Sequence, residues 1–330
     1  MNEPLKLSVI ICTYNRADCI LAALHSLVQQ TLPHNFFEVL LINNNSTDAT
    51  ETLCKNFARQ TPGFNYRYMV ETRQGLSYAR NCGIAEATGD IIVFMDDDAT
   101  AEPGYLEKML AFFAQTPDAA ACGGRIYPRF ESRRPRWMSH FLLPLTSSID
   151  WGNRIKMFTR RQFPIGANMA VRNRMFAKYG LFNPDLGRKG NSMDGAEEKD
   201  FFYRLKSAKE KIYYVPDAIV HHYVPDRRLT FDFFRQQAIG IGKSERIRSK
   251  SLSRKEYAKS LVREGLKWGV SVALFMFYLL TLRPAKAMRL LVFRWYVGCG
   301  LIPLFSKRTE RNNIYPVSPR KTYSRTHNNV

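Results

Sequence analysis

Gly89-Asp90-Ile91-Ile92-Val93-Phe94-Met95-Asp96-Asp97-Asp98 is the stretch whose reading decides the fold. Five apolar residues, Ile91 to Met95, carry three consecutive carboxylates to one point. A continuous apolar run of this length, ended by polar residues, reads as a buried parallel strand. Three adjacent aspartates repel one another and lose water as the chain compacts, so a cation is needed to neutralise them. Ligands of open α/β sheets bind at strand tips. The run therefore predicts a divalent-metal site that holds an anionic group such as a diphosphate. An acidic cluster ahead of the helix opened by Pro103 is the plainer explanation. One or two carboxylates would serve that purpose. Three, with the first and third on similar sides of an extended chain, suit a hard cation.

Upstream, the chain alternates between strands and helices. Leu7 to Cys12 reads as a strand ending at Thr13-Tyr14-Asn15-Arg16. A helix follows, with Ile20, Leu21, Leu24, Leu27 and Val28 on one face. Phe37 to Ile42 is a second strand, ending in Asn43-Asn44-Asn45-Ser46-Thr47-Asp48, where Ser46 or Thr47 is the candidate cap of a helix at 49–60. Tyr66 to Val70 is a strand, Gly75 to Ala87 a helix, and a further helix follows Pro103 at 104–115. This spacing predicts a single Rossmann-like, doubly wound, mostly parallel sheet with helices on both faces. Polar groups at three strand tips then make one cleft.

After residue 120 the pattern changes. Residues 121–130 read as a strand and 131–163 as an irregular stretch rich in Arg, Pro and Trp. Phe163 to Val171 carries Gly166-Ala167-Asn168 at its centre. A loop, Leu186 to Ser192, is placed to close over a substrate. It precedes Glu197-Glu198-Lys199-Asp200, which is either an exposed helix start or a source of the general base that a transfer reaction needs. A strand, Ile212 to Val215, leads to His221-His222, and an imidazole there would complete the coordination begun by the aspartates.

Charge divides the chain unevenly. The net charge is +20, and residues 226–330, with 22 Lys+Arg against 6 Asp+Glu, supply +16 of it. A near-neutral catalytic body with a basic extension and an anionic partner is the expected organisation. Apolar residues make up 45% of the chain, which argues against global disorder. The six cysteines are scattered without CxxC spacing and read as reduced, cytosolic thiols. The N-terminus begins a strand and lacks the pattern of a signal peptide.

Six stretches, in order over about residues 6–242, resemble the inverting glycosyltransferases of family 2, whose fold is the A-type nucleotide-diphospho-sugar transferase fold. They are Ser8 to Arg16, Gly75-Leu76-Ser77-Tyr78-Ala79-Arg80-Asn81, Phe94 to Asp98 with Pro103 beyond, Gly166-Ala167-Asn168-Met169, Glu197 to Asp200, and Pro216 to His222. The resemblance implies a Mg²⁺ or Mn²⁺ site in which Asp98 is a direct ligand, Asp96 touches ribose or a metal-bound water, and His222 fits better than His221. It implies that Thr13, Tyr14, Asn15, Arg16, Asn43, Asn45, Arg80, Asp96 and Asp97 line the nucleotide-sugar. Gly166, Ala167 and Asn168 fall on the acceptor side, and Glu198 is the base, with Glu197 and Asp200 beside it. Two positions depart from the family. Asn43 stands where Asp is usual, and Glu197-Glu198 stands where Glu-Asp is usual.

The implied organisation is a catalytic domain over 1–242, with a nucleotide-sugar half (1–120) and an acceptor half (121–242). A basic helical extension (243–305) and a loose polar tail (306–330) follow. Trp268 to Leu282 is fifteen residues without a charge, short of the roughly 20 that span a bilayer. A second apolar stretch, Leu290 to Phe305, is interrupted by Arg294, Gly298, Gly300 and Pro303. These read either as helices packed on the catalytic domain or as an attachment to an anionic membrane surface from the cytoplasmic side. The implied partners are a nucleotide-diphosphate-sugar donor and a saccharide or lipid-linked saccharide acceptor. A sugar-1-phosphate nucleotidyltransferase would need a Gly-rich basic loop after the first strand, which Thr13-Tyr14-Asn15-Arg16 is not. A nucleic-acid binder would not place Asp96–Asp98 where they repel phosphate.

Overall fold

The computed structural model describes residues 4–159, 162–190, 193 and 195–302. Its elements are β1 (Leu7–Thr13), α1 (Ile20–Val28), β2 (Phe37–Asn43), α2 (Thr50–Gln60), β3 (Tyr66–Val70), α3 (Leu76–Glu86), β4 (Ile91–Phe94), β5 (Ala99–Ala101) and α4 (Tyr105–Gln115). They continue with β6 (Ala119–Phe130), β7 (Lys156–Met157), β8 (Met169–Arg172), α5 (Arg174–Tyr179), α6 (Glu197–Ser207), β9 (Lys211–Val224), α7 (Phe231–Leu252), α8 (Arg254–Leu280) and α9 (Pro284–Leu301).

One sheet runs β3-β2-β1-β4-β8-β6-β9-β5, with β7 added on β9. Strands β3, β2, β1 and β4 are parallel neighbours, which is the expected Rossmann-like half. Every residue of β2 is buried, which is why that strand is a continuous apolar run rather than an alternating one. The second half is mixed: β8 runs antiparallel to both β4 and β6, while β6 and β9 are parallel. The main core wraps this sheet. A second cluster, including Met138, Phe234, Tyr278, Leu290 and Phe293, lies under the C-terminal helices.

Three local expectations are corrected. Neither Ser46 nor Thr47 caps α2, because the Ser46 hydroxyl accepts from the Asn15 N–H and Asp48 accepts from the Thr50 N–H. His221 and His222 do not follow a strand; they lie inside the fourteen-residue β9. That strand survives Pro216 because its pairing with β6 skips register, from Gly124 opposite Val215 to Arg125 opposite Ile219. The apolar stretch after Leu290 is not interrupted by Arg294, Gly298 or Gly300, since α9 is continuous to Leu301. Gly300 instead lets two helices approach: a Cβ there would fall 2.1 Å from the Ile239 carbonyl oxygen of α7. Helix α7 runs without a break across residue 242. Pro303 and the tail 306–330 lie outside the described residues. All six cysteines are free thiols.

Candidate active site

The carboxyl ends of β1 and β4 are side by side, because the two strands pair in parallel with Ile10 opposite Phe94. This sets Thr13 to Arg16 beside Asp96 to Asp98. The short β5 then pairs antiparallel with β9, placing Ala99 opposite His222. A backbone bond from the Tyr223 N–H to the Asp98 carbonyl oxygen fixes the join at 2.8 Å. The chain thus brings His222 to the aspartates through a three-residue strand.

Ligand atoms of Asp96, Asp98 and His222 lie within 4.8 Å of one another. His222 Nε2 is 3.1 Å from Asp98 Oδ1 and 4.0 Å from Asp96 Oδ2. His222 is buried and its Nδ1 has no hydrogen-bond partner among the described residues. Two carboxylate oxygens and an imidazole nitrogen form a donor set that suits Mg²⁺ or Mn²⁺. Asp97 turns elsewhere, its Oδ1 lying 3.3 Å from Arg16 Nε. Arg228 Nη2 is 2.7 Å from Asp98 Oδ2. Burial raises the Asp98 carboxyl, but His222, Arg228 and Arg16 outweigh it and hold Asp98 far below the usual carboxylate range. Burial dominates at Asp97, where Arg16 offsets only part and Asp98 and Asp96 add to it; that carboxyl is pushed up to about 7.

The cleft that contains this cluster has a volume of about 580 Å³. Its far wall is the start of α6. Arg80, buried on α3, donates from Nη1 to Glu197 Oε1 at 2.9 Å and from Nη2 to Glu198 Oε1 at 2.8 Å. Its guanidinium carbon lies over the Phe182 and Phe94 rings, 5.4 and 5.8 Å from their centroids. The Gly166 N–H gives Glu198 Oε1 a second bond at 2.9 Å. Position 166 has to be glycine, because a Cβ there would meet Arg80 Nη2 at 2.0 Å and Glu198 Oε1 at 2.3 Å. Burial pushes the Glu198 carboxyl up to about 7, with Arg80 pulling down and Glu197 and Asp96 pushing up.

The other expected residues divide. Thr13, Tyr14, Asn15 and Arg16 line the cleft, as do Arg80, Asp96 and Asp97. Arg80 spends two nitrogens on the glutamates, so it ties the wall together rather than offering a free guanidinium. Asn43 and Asn45 are not in the wall. Asn43 accepts from the Ser46 N–H and donates to the Tyr68 hydroxyl, so its side chain is spent. Asn45 is an exposed turn residue at φ +63°. Asn44 lines the cleft in their place and clamps the Gly75 N–H at 2.8 Å. Asp200 is also outside the wall, paired with Arg204 at 3.3 Å on its own helix.

Of the acceptor-side set, Ala167 and Asn168 are fully buried and do not face the cleft. Asn168 is a structural clip. Its Nδ2 donates to the Arg125 and Ala218 carbonyls, and its Oδ1 accepts from the Gly124 N–H and the Tyr105 hydroxyl. It thereby holds β6 and β9 together where their register skips. Met193 and Gly195 line the cleft, while Asn191, Ser192 and Asp194 of the same loop lie outside the described residues. Arg227 and Arg228 also line it. In the sequence they are two of many basic residues, and only their position two and three residues past Pro225, just after the strand carrying His222, distinguishes them.

The family model of Glycosyl transferase family 2 matches residues 8–180. Over 246 residues the chain is 26% identical to the glucosyl-dolichyl phosphate glucuronosyltransferase of Haloferax volcanii, covering 74% of this chain and 77% of that one. It is 27% identical over 247 residues to the succinoglycan biosynthesis protein ExoM of Rhizobium meliloti, covering 74% and 75%. Among solved structures, the mannosyltransferase PcManGT of Pyrobaculum calidifontis, in complex with GDP-Man and Mn²⁺, superposes with a TM-score of 0.56. Identity is 20%, over 94% of this chain and 80% of that one. With its strand order, its Asp-Asp-His cluster and a family match over more than half its length, the chain belongs to glycosyltransferase family 2, enzymes of the A-type fold that transfer sugars.

Proposed function

We propose that the protein is a metal-dependent, inverting glycosyltransferase that moves a sugar from a nucleotide-diphosphate-sugar to a hydroxyl acceptor in cell-surface polysaccharide or glycolipid synthesis. The observation that carries this reading is the shared cleft: Asp96, Asp98 and His222 line one side and the Glu197-Glu198 pair the other. The names of the H. volcanii and R. meliloti relatives favour a saccharide or lipid-linked saccharide acceptor. A peripheral placement on the cytoplasmic face of the membrane follows from such an acceptor.

Thr13 to Arg16 and Asp96 receive the donor, in the half 1–120. The half 121–242 supplies the acceptor side, and 243–305 extends from it through α7. Mg²⁺ or Mn²⁺ held by Asp96, Asp98 and His222 would offset the charge that grows on the departing diphosphate. Arg228 and Arg16 add fixed positive charge at the same place. Glu198 takes the proton from the acceptor hydroxyl, and its elevated pKa suits a base working near neutral pH. Its Oε1 is held by Arg80 and Gly166, so Oε2 is the oxygen that takes the proton. The hydroxyl attacks the anomeric carbon opposite the leaving diphosphate, one bond forming as the other breaks, and the configuration inverts. Incubation with a panel of nucleotide-sugars and either Mn²⁺ or Mg²⁺ tests this. Metal-dependent donor binding and slow donor hydrolysis are expected. A protein that binds no nucleotide-sugar under either condition is not this enzyme.

A further inference from the structure

Helix α8 is turned inside out. Its buried residues are Ser260, Glu264, Ser271 and Tyr278, all on one side. Glu264 is satisfied there by Arg294 of α9 at 2.9 Å and by Lys267 at 3.2 Å. The opposite side carries Val262, Leu266, Val270, Ala273, Phe277 and Leu280, spaced by three or four residues and all exposed. Leu266 is 67% exposed and Leu280 80%, against 2% for Ser260. A helix on the surface of a water-soluble protein shows the reverse pattern. The stripe continues into the turn after α8, where Leu282 is 89% exposed, and it runs for about 27 Å at the rise of an α-helix.

We infer that this face of α8 docks flat on an anionic membrane surface, with the stripe among the acyl chains and the basic residues among the headgroups. Among the described residues, no helix is long and apolar enough to cross a membrane, so the helix lies in the interface rather than spanning it. Charge selects the occupant. Lys255 and Lys259 are exposed on the apolar side at the start of the stripe, and Arg283 is exposed at its end. The third of the chain that contains them carries +16 of the net charge. A second copy docked on this face would bring like charges together, whereas anionic lipid headgroups complement them. The docked face also connects to the reaction. Helix α7, which packs against α8 and α9, accepts the Gly195 N–H of the cleft loop on Ser244 Oγ at 2.8 Å.

Flotation of the full-length protein with vesicles of mixed phosphatidylglycerol and phosphatidylcholine tests the surface. The wild type should float with these vesicles, bind pure phosphatidylcholine far less, and lose binding as salt rises. The variant Leu266→Glu/Val270→Glu/Phe277→Glu should bind about tenfold less or worse, with unchanged circular dichroism and unchanged nucleotide binding. Neutralising Lys307, Arg308, Arg311, Arg320, Lys321 and Arg325 to Gln should leave a clear preference for anionic vesicles. The inference is overturned if the wild type ignores anionic vesicles, if the triple variant floats as the wild type does, or if the tail substitutions abolish binding. A wild-type dimer that ignores vesicles and becomes monomeric in the triple variant would assign the stripe to a second copy instead. The surface is independent of the chemistry proposed above. A protein that transfers sugar to a soluble acceptor but ignores vesicles keeps its function and loses this surface.

Discussion

Arg80 Nη2 lies 2.8 Å from Glu198 Oε1, joining residues 118 apart in sequence across the back of the cleft. Burial drives the Glu198 carboxyl up, and Arg80 is the largest influence holding it down. Replacing Arg80 with Met removes that restraint, so Glu198 ionises only at higher pH. The acid limb of kcat/KM should move to higher pH, with a loss at pH 7 that is partly recovered under more alkaline conditions. Arg80→Lys, which keeps one charge but loses the two-pronged contact, should shift the limb less. A pH–rate profile that keeps its limb in Arg80→Met would uncouple the two residues.

Glu198→Gln should retain donor binding and lose roughly 10²–10⁴-fold in kcat. Glu197→Gln should lose less, since Glu197 is more deeply buried against Arg80. If Glu197→Gln shows the larger loss, the base is the other member of the pair. The stability effect has a definite sign. A carboxyl whose folded pKa is raised from 4.5 to about 7 keeps its full contribution to stability below 4.5 and loses it as pH rises through about 7. Glu198→Gln should therefore unfold at higher denaturant concentration than the wild type at pH 8, and the difference should disappear near pH 4.5. Chemical denaturation at the two pH values checks this.

Asp98 has three claims on its carboxylate: His222, Arg228 and Arg16. Asp98→Ala should abolish metal-dependent donor binding, a loss of about 100-fold or more by calorimetry with Mn²⁺ present. Arg228→Gln should act in the opposite direction on the metal alone. Without a guanidinium at 2.7 Å, Asp98 is freer to ligate a cation, so Mn²⁺ should bind more tightly while the nucleotide-diphosphate-sugar binds more weakly. Equal Mn²⁺ affinity in wild type and variant would show that Arg228 does not compete for Asp98.

Parallel strands buried on both faces are written as apolar runs, so β1, β2 and β4 could be located to within a residue or two from composition. Asp96 to Asp98 and Thr13 to Arg16 were legible as the residues at those strand ends, whereas the acidic pair was read from its own cluster ahead of a later helix and from the family resemblance. The second half hides its organisation for physical reasons. Strand β5 is only Ala99-Thr100-Ala101, too short to show a period, yet it is what delivers His222 to Asp98. Pro216 looks like the end of a strand, because a skip in register that accommodates it leaves no local signature. The family resemblance puts Gly166-Ala167-Asn168 on the acceptor side, yet Asn168 turns inward to satisfy backbone groups from two other strands. Arg228 differs in sequence from the other basic residues only in lying just past Pro225, after the strand that carries His222.

Asn168→Ala separates a clip from a substrate contact. The truncation leaves the Gly124 N–H and the Arg125 and Ala218 carbonyls without their partner in a fully buried place. It should cost about 2–4 kcal/mol of stability by urea denaturation. At a temperature where the variant stays folded, KM for the acceptor should be close to that of the wild type. A variant of wild-type stability with a raised acceptor KM would return Asn168 to the acceptor side.

Gly166→Ala is the sharpest test of the cleft wall. A methyl group at that position would sit 2.0 Å from Arg80 Nη2 and 2.3 Å from Glu198 Oε1, well inside van der Waals contact distance of both. The neighbours are side-chain ends rather than backbone, so the pair should move apart and the fold should hold. Moving them breaks the Arg80–Glu198 contact and distorts the bond that the Gly166 N–H gives Glu198. Transfer should fall by roughly 10²-fold, the loss expected for a misplaced catalytic group, while Mn²⁺-dependent donor binding and the unfolding midpoint stay close to wild type. Because the substitution leaves both charged residues in place, loss of turnover with intact donor binding would tie catalysis to the position of Glu198. Unchanged turnover would show that the wall tolerates a displaced Glu198.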